Sequence, residues 1–252
     1  MRPDVLRVRE VVDEGPGIRT VFWKREYDVE AGEFGMFWIP GVDEVPMSFA
    51  YPDGITVRGI GEATRAINSL EPGDRLGVRG PFGTTFEPPD KGDDVVIVGG
   101  GTGMAPVALL TEEASMAGAD VTTLIGAATE EELIFEGRLS EHADVRVATE
   151  DGSKGHEGYV TELLDDHRDA DYVASCGPEP MMAKVLDRYD SSRVQVSLER
   201  YMKCGIGICG SCCIDDTGSP VCTDGPVYRG TEVEGGEFGV YHRDAASRID
   251  RF

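Results

Sequence analysis

In the first part of the chain, apolar residues come in short runs at 6–12, 18–23, 34–39, 47–51, 55–60 and 75–78. Many of these runs alternate apolar with polar positions, and Pro-Gly or Asp-Gly pairs separate several of them. A period of two puts one face of a strand into a core, and those pairs turn the chain between strands. The economical reading is a small antiparallel β-barrel. One helix interrupts it: residues 62–70 carry apolar side chains at helical spacing and stop before Glu71-Pro-Gly-Asp, which is turn chemistry.

From Asp93 the pattern changes. The continuous apolar run Val95-Val-Ile-Val98 enters a glycine-rich turn, and a helix follows over 107–117. Further strands are expected near 121–125, 145–148 and 172–175. Strand and helix in alternation predict a parallel α/β sheet with its ligands at the strand C-terminal ends. The fold class is therefore multi-domain, β plus α/β. Expected domains are a barrel over 1–91, a nucleotide-binding α/β domain over 92–200, and a small C-terminal module over 201–252.

That last module holds the sharpest chemical signal, Cys204, Cys209, Cys212 and Cys222 in a C-x4-C-x2-C-x9-C run. This is the plant-type spacing for a [2Fe-2S] cluster. Glycines at 205, 207 and 210 let the backbone wrap closely and turn N–H groups toward sulfur. Zinc sites usually need a second C-x2-C pair, which is missing here. Six cysteines in 252 residues, without a secretory signal, do not resemble a disulfide scaffold. Cys213 falls outside the register and reads as a spare buried thiol.

The turn Gly99-Gly-Gly-Thr-Gly-Met-Ala-Pro106 follows a buried strand and opens a helix, with Pro106 where a dinucleotide fingerprint has its third glycine. Proline suits a helix's first turn, whose free N–H groups can meet a pyrophosphate, so Gly101, Thr102 and Gly103 are candidate cofactor contacts.

The formal charge of −23 is spread over the whole chain, and only five of the 24 basic residues are lysine. Such a surface suits molar salt, where a Debye length of about 3 Å screens self-repulsion. It argues against nucleic-acid binding. No long apolar run suggests a membrane span, so a soluble, cytoplasmic protein from a halophile is expected.

Gly99 to Pro106 together with Cys176-Gly-Pro-Glu-Pro-Met181 resemble the two nicotinamide-side signatures of the ferredoxin reductase superfamily. With the four-cysteine run and Val221-Cys-Thr-Asp-Gly-Pro-Val-Tyr228, the chain is similar over nearly its whole length to one branch. That branch is the electron-transfer subunits of NAD-dependent (class 1B) dihydroorotate dehydrogenase. Supporting stretches are Pro40 to Ser48, Gly80-Pro-Phe-Gly83 and Thr149 to Ser153.

The resemblance implies an electron relay: NAD(H) on the α/β domain near Cys176 and Gly177, FAD on the barrel, and the [2Fe-2S] cluster. It also implies an FMN-containing catalytic dehydrogenase subunit as partner, two copies of each. Flavin contacts carried over are Pro46, Met47 and Ser48, then Thr56, Val57 and Arg58, then Ala63 and Thr64. Where the family has an arginine, this chain has Val45. Such a charge-assisted contact is worth about 1.5–3 kcal/mol, and Arg58 or Arg65 are the expected substitutes.

After the second strand of the α/β domain, Glu130-Glu-Glu132 disfavours the extra phosphate of NADP, with an acidic helix start capped by Thr129 as the alternative reading. No catalytic side chain is expected, and the four histidines receive no role. Residues 235–241 are expected to pack against the cluster loop or a partner. Two other readings stay open: a subunit of the same build serving a hydrogenase, a sulfur reductase or a ferredoxin:NAD(P) oxidoreductase, and a non-enzymatic iron or redox sensor.

Overall fold

The structure, a computed structural model, describes residues 2–252. Strands β1 (Asp4–Gly15), β2 (Ile18–Trp23), β3 (Phe34–Trp38), β4 (Glu44–Ser48), β5 (Gly54–Arg58) and β6 (Arg75–Phe82) form one antiparallel sheet in the order β4-β3-β6-β1-β2-β5. Inside its curl Trp23, Phe37 and Phe49 are fully buried, with Phe37 5.7 Å from both other rings. Helix α1 (Glu62–Asn68) packs against β5 through Ala63 and Ile67. Among the described residues no ladder joins the edge strands β4 and β5, so the expected barrel is a half-barrel. The strand expected at 47–51 lies earlier, because Phe49 leaves the ladder and drops into the aromatic core.

The second sheet contains β7 (Asp94–Gly100), β8 (Asp120–Ala127), β9 (Asp144–Thr149), β10 (His156–Glu157), β11 (Tyr172–Cys176), β12 (Val194–Ser197) and β13 (Val227–Arg229). Their order is β10-β9-β8-β7-β11-β12-β13, parallel except for β13. Both faces are covered, which is why β7 reads as an unbroken apolar run. Val95 and Ile97 join α2 (Met104–Ala117) in one core. Val96 and Val98 join a second core with residues of α4 (Glu179–Leu186). Helix α2 stops at Gly118, held at φ 90° in the left-handed region. A one-turn helix, α3 (Glu136–Leu139), leads into β9.

The C-terminal segment does not stand apart. After α5 (Val221–Asp224), β13 pairs with β12 and so extends the nucleotide-binding sheet across the expected boundary at residue 200. The Thr84 N–H donates to the Gly225 carbonyl at 2.7 Å, and the Arg79 guanidinium donates to the Cys204 carbonyl at 3.1 Å. The cluster cysteines Cys212 and Cys222 share a core with Val96, Phe34 and Met36. Beyond α6 (Gly230–Val233), residues 235–241 pack on the cluster loop: Glu237 accepts the Asp215 N–H at 2.7 Å and donates its own N–H to Asp216. The chain ends in a hairpin, β14 (Tyr241–Arg243) and β15 (Ile249–Arg251). No helix among the described residues is long and apolar enough to cross a membrane.

The aromatic core anchors the half-barrel, and Phe37→Ala is expected to destabilise the protein by about 3–5 kcal/mol in chemical denaturation. A loss below about 1 kcal/mol would show that this cluster does not organise the sheet.

Candidate functional site

Strand order reverses between β7 and β11, the point at which open α/β sheets bind ligands. Here two turns approach backbone to backbone. A Cβ on Gly103 would lie 2.5 Å from the Cys176 carbonyl oxygen, and one on Gly177, at φ 148°, would lie 3.0 Å from the Gly100 nitrogen. Glycine is the residue that fits. The turn Gly101–Gly103 is a single 3-10 turn that runs into α2.

Over this point opens a cleft of about 540 Å³ lined by Gly101, Thr102, Gly103 and Gly177. Tyr159, Met181 and Lys184 also line it, as does Glu150 just after β9. Cys176 itself is fully buried below the cleft, and burial pushes its thiol well up. At this position Gly177, and not the Cys176 sulfur, lines the cleft. Of the three consecutive glutamates only Glu132 reaches the cleft, where it pairs with Arg58 at 2.9 Å. Glu150 has no ion-pair partner among the described residues. At the start of the Glu130–Glu132 turn, Ser153 Oγ takes the Glu130 N–H at 2.7 Å, so the expected Thr129 side-chain cap is absent.

A second cleft, about 630 Å³, lies on the half-barrel. Pro46, Met47, Ser48, Thr56, Arg58, Ala63 and Thr64 line it, as does Val45. Val57 does not: it alternates inward and is fully buried in the barrel core, with its carbonyl taken by the Asn68 amide at 3.0 Å. Thr64 Oγ1 accepts the N–H groups of Ile60 and Gly61, at 3.0 and 2.8 Å, which fixes the turn into α1. Of the two arginines expected to replace the missing cation, Arg58 faces the cleft. Arg65 lies in a separate surface hollow beside Arg19 and Asn68.

Three residues, Arg58, Thr102 and Glu199, line both clefts, so ligands in the two would meet there. Glu199 escaped sequence reasoning, because a lone glutamate after an unassigned strand carries no motif. Its side chain is exposed and lines both clefts, and desolvation by their walls raises its carboxyl above the usual range. Next to it Arg200 is buried between Glu179 and Glu237, at 3.0 and 2.9 Å. Burial, opposed by Arg200, raises the Glu179 carboxyl to about 7.

The four run cysteines gather in one loop. Cys204 neighbours Cys209, and Cys212 neighbours Cys222. Among the described residues no three side chains of ligating type close around a single ion. Two pairs of thiols suit two irons better than one zinc. The donors that a sulfur-bound cluster needs are present. The N–H groups of Ile206 and Ile208 point at Cys204 Sγ, at 3.5 and 3.4 Å, and that of Gly207 at Cys222 Sγ, at 3.1 Å. Against burial, which would raise it, N–H groups of Ile206, Cys209 and Ile208 bring the Cys204 thiol down to about 6. Burial pushes Cys212 up to about 12, so its thiolate calls for a neighbouring cation. Cys209 is exposed and Cys213 is partly exposed, not buried as expected.

Two families match the chain: "Iron-sulfur cluster binding domain of dihydroorotate dehydrogenase B" over residues 199–234 and "Oxidoreductase NAD-binding domain" over residues 97–187. The dihydroorotate dehydrogenase B (NAD(+)) electron transfer subunits assigned in Methanocaldococcus jannaschii and Methanocella arvoryzae are 44% and 45% identical to it. Each alignment covers 98% of both chains. Among solved structures, a chain of the NADH-dependent reduced ferredoxin-NADP oxidoreductase superposes with a TM-score of 0.81 at 26% identity, covering 91% of this chain and 89% of that one. Phthalate dioxygenase reductase, at 18% identity and a TM-score of 0.61 over 76% of this chain and 66% of that one, shares the fold. The cysteine loop, the glycine turn at the sheet's reversal and full-length identity of this order place the chain in the family of electron transfer subunits of dihydroorotate dehydrogenase B.

Proposed function

We propose that this chain carries electrons between a nicotinamide dinucleotide and a catalytic subunit that oxidises dihydroorotate. The observation that carries the proposal is the junction at Arg58, Thr102 and Glu199, where the two clefts open into each other. NAD(H) occupies the cleft over Gly101–Gly103, FAD the cleft on the half-barrel, and a [2Fe-2S] cluster the loop of Cys204, Cys209, Cys212 and Cys222. Bound there, these groups supply the two-electron and one-electron chemistry that no side chain of this protein can perform.

The protein's own residues position and insulate. The Gly101–Gly103 turn admits a pyrophosphate at van der Waals distance from backbone, and Glu132 holds the Arg58 guanidinium between the clefts. Ser48 lines the flavin wall, while the buried Thr56 hydroxyl is shared with Thr20 at 2.8 Å. Glu199, exposed with its carboxyl raised by desolvation, brings an acid group to where the two clefts meet. In the cysteine loop Ile206, Gly207 and Ile208 donate N–H groups to sulfur, which stabilises thiolate charge. Around exposed Cys209, Ile208 is 79% and Ile206 42% exposed, an apolar collar on which the catalytic subunit docks. In the assembly we infer two of these chains with two FMN-containing subunits. The fold similarity to the ferredoxin-NADP oxidoreductase favours, as a second reading, the same relay serving another partner.

The surface charge of −23 with five lysines is read as adaptation to a high-salt cytoplasm. The thermal midpoint should then rise as KCl is raised into the molar range, and a midpoint that falls would contradict this reading.

The relay is tested by an anaerobic visible spectrum before and after NADH, which should show flavin and cluster bands that both bleach. A spectrum with cluster absorption alone would reduce the chain to a ferredoxin-like carrier. With the dihydroorotate-oxidising subunit added, dihydroorotate should bleach the same bands; if it does not, the second reading holds. Cys209→Ser is expected to abolish transfer to an external one-electron acceptor while NADH still bleaches the flavin; loss of both in a folded variant would refute this division of roles. In Gly103→Ala the added methyl must displace the Cys176 carbonyl at about 1–3 kcal/mol. The Kd for NADH should rise about tenfold to a hundredfold with the flavin spectrum unchanged. Glu150→Arg is expected to shift preference from NADH toward NADPH, measured as the ratio of kcat/KM values, because arginine receives a 2′-phosphate where a carboxylate repels it.

A further inference from the structure

Residues 235–252 lie beyond the segment matched by the iron–sulfur family, yet they are built into the wall of the half-barrel cleft. Their anchor is buried. Glu237 is 3% exposed, and its Oε1 lies 2.9 Å from the Nη2 of Arg200, itself a lining residue of that cleft. The Gly239 N–H donates to Glu179 at 3.1 Å, on the other side of the same guanidinium. A carboxylate is taken out of water only where partners compensate it, so this segment is docked in one place. Arg200 Nε, also buried, has no partner among the described residues.

Past the anchor, the β14–β15 hairpin brings His242, Arg243, Asp244 and Ala245 to the cleft, across from β4 and the start of α1. Two of these side chains are already committed. Arg243 donates twice to Asp215, at 2.7 and 2.8 Å, and Asp244 accepts from the Ala246 and Arg248 N–H groups at 2.8 and 2.9 Å. The ring of His242 makes no hydrogen bond among the described residues. Its ring is backed by Phe252, with centroids 4.8 Å apart, and the Phe252 N–H reaches the Val240 carbonyl. A heteroaromatic ring supported on one side and facing a cleft is suited to packing against a planar ligand.

We propose that residues 235–252 are a third wall of the flavin-binding site, with His242 packing on the bound flavin dinucleotide and Glu237 fixing Arg200 in that wall. This rests on FAD occupying the half-barrel cleft. It adds to the contacts of β4, β5 and α1 a set drawn from the far end of the chain, in a site whose usual arginine position is Val45. Ordering a terminal segment of this length costs conformational entropy, and the bound flavin is a ligand that offsets it.

The test uses the full-length protein, the variant His242→Ala, and a chain ending at Tyr241, which keeps Glu237 and Gly239. FAD affinity is measured by quenching of flavin fluorescence, and cluster absorbance reports whether each protein is folded. Loss of one aromatic contact should weaken FAD binding about fivefold to tenfold in His242→Ala, and removal of the hairpin by more. If the shortened chain loses its cluster absorbance, His242→Ala decides alone. FAD affinity unchanged in the folded variants would overturn the third wall while leaving the flavin site intact. A full-length protein that binds no FAD would overturn both this inference and the flavin assignment on which it rests.

Discussion

Much of this structure follows from the lack of room between the turn after β7 and the turn after β11. The Gly101–Gly103 turn and the Cys176–Gly177 backbone approach so closely that no side chain fits between them. That contact closes the sheet at its point of reversal, sends α2 away with its first turn toward the cleft, and buries the Cys176 thiol beneath it. It sets the nucleotide cleft beside the half-barrel cleft, because Thr102 sits on the ridge between them.

On that ridge one ion pair and one carboxyl group stand between the clefts. Arg58 is balanced by Glu132, and the exposed Glu199 has its carboxyl raised by desolvation. Next to Glu199 in the chain, two carboxylates share the buried Arg200 guanidinium, and burial raises Glu179 to about 7.

What could be read from the amino-acid order follows a physical divide. The cysteine spacing and the glycine turn were legible because a cluster and a tight strand-to-helix turn impose distances within a few residues of chain. The family resemblance read from those motifs is the one that relatives 44% and 45% identical show. A motif names positions but not the side of the strand they face, which is why Val57 turned out to be barrel core and Cys176 buried floor. Arg65 and Arg58 were equivalent as sequence, and only the course of α1 and β5 separates them. Glu199, Glu150 and the hairpin at 241–251 reach the clefts through packing between segments far apart in the chain, and no local periodicity encodes that. Edge strands as short as β10 and β13, two and three residues long, have too few positions to show alternation at all.

Strand β13 has a consequence for how such a carrier can work. Because it is sewn to the edge of the nucleotide sheet, and because Thr84 and Arg79 hold the neighbouring loop to the half-barrel, the cysteine loop has no hinge of its own. The protein is hard-wired, not a swinging arm: the two clefts and the cysteine loop keep fixed separations, and Cys209 stands exposed where another surface can reach it. Throughput is then governed by how well that surface is recognised, and the loop could not be cut free as a small independent ferredoxin without unravelling the edge that carries it.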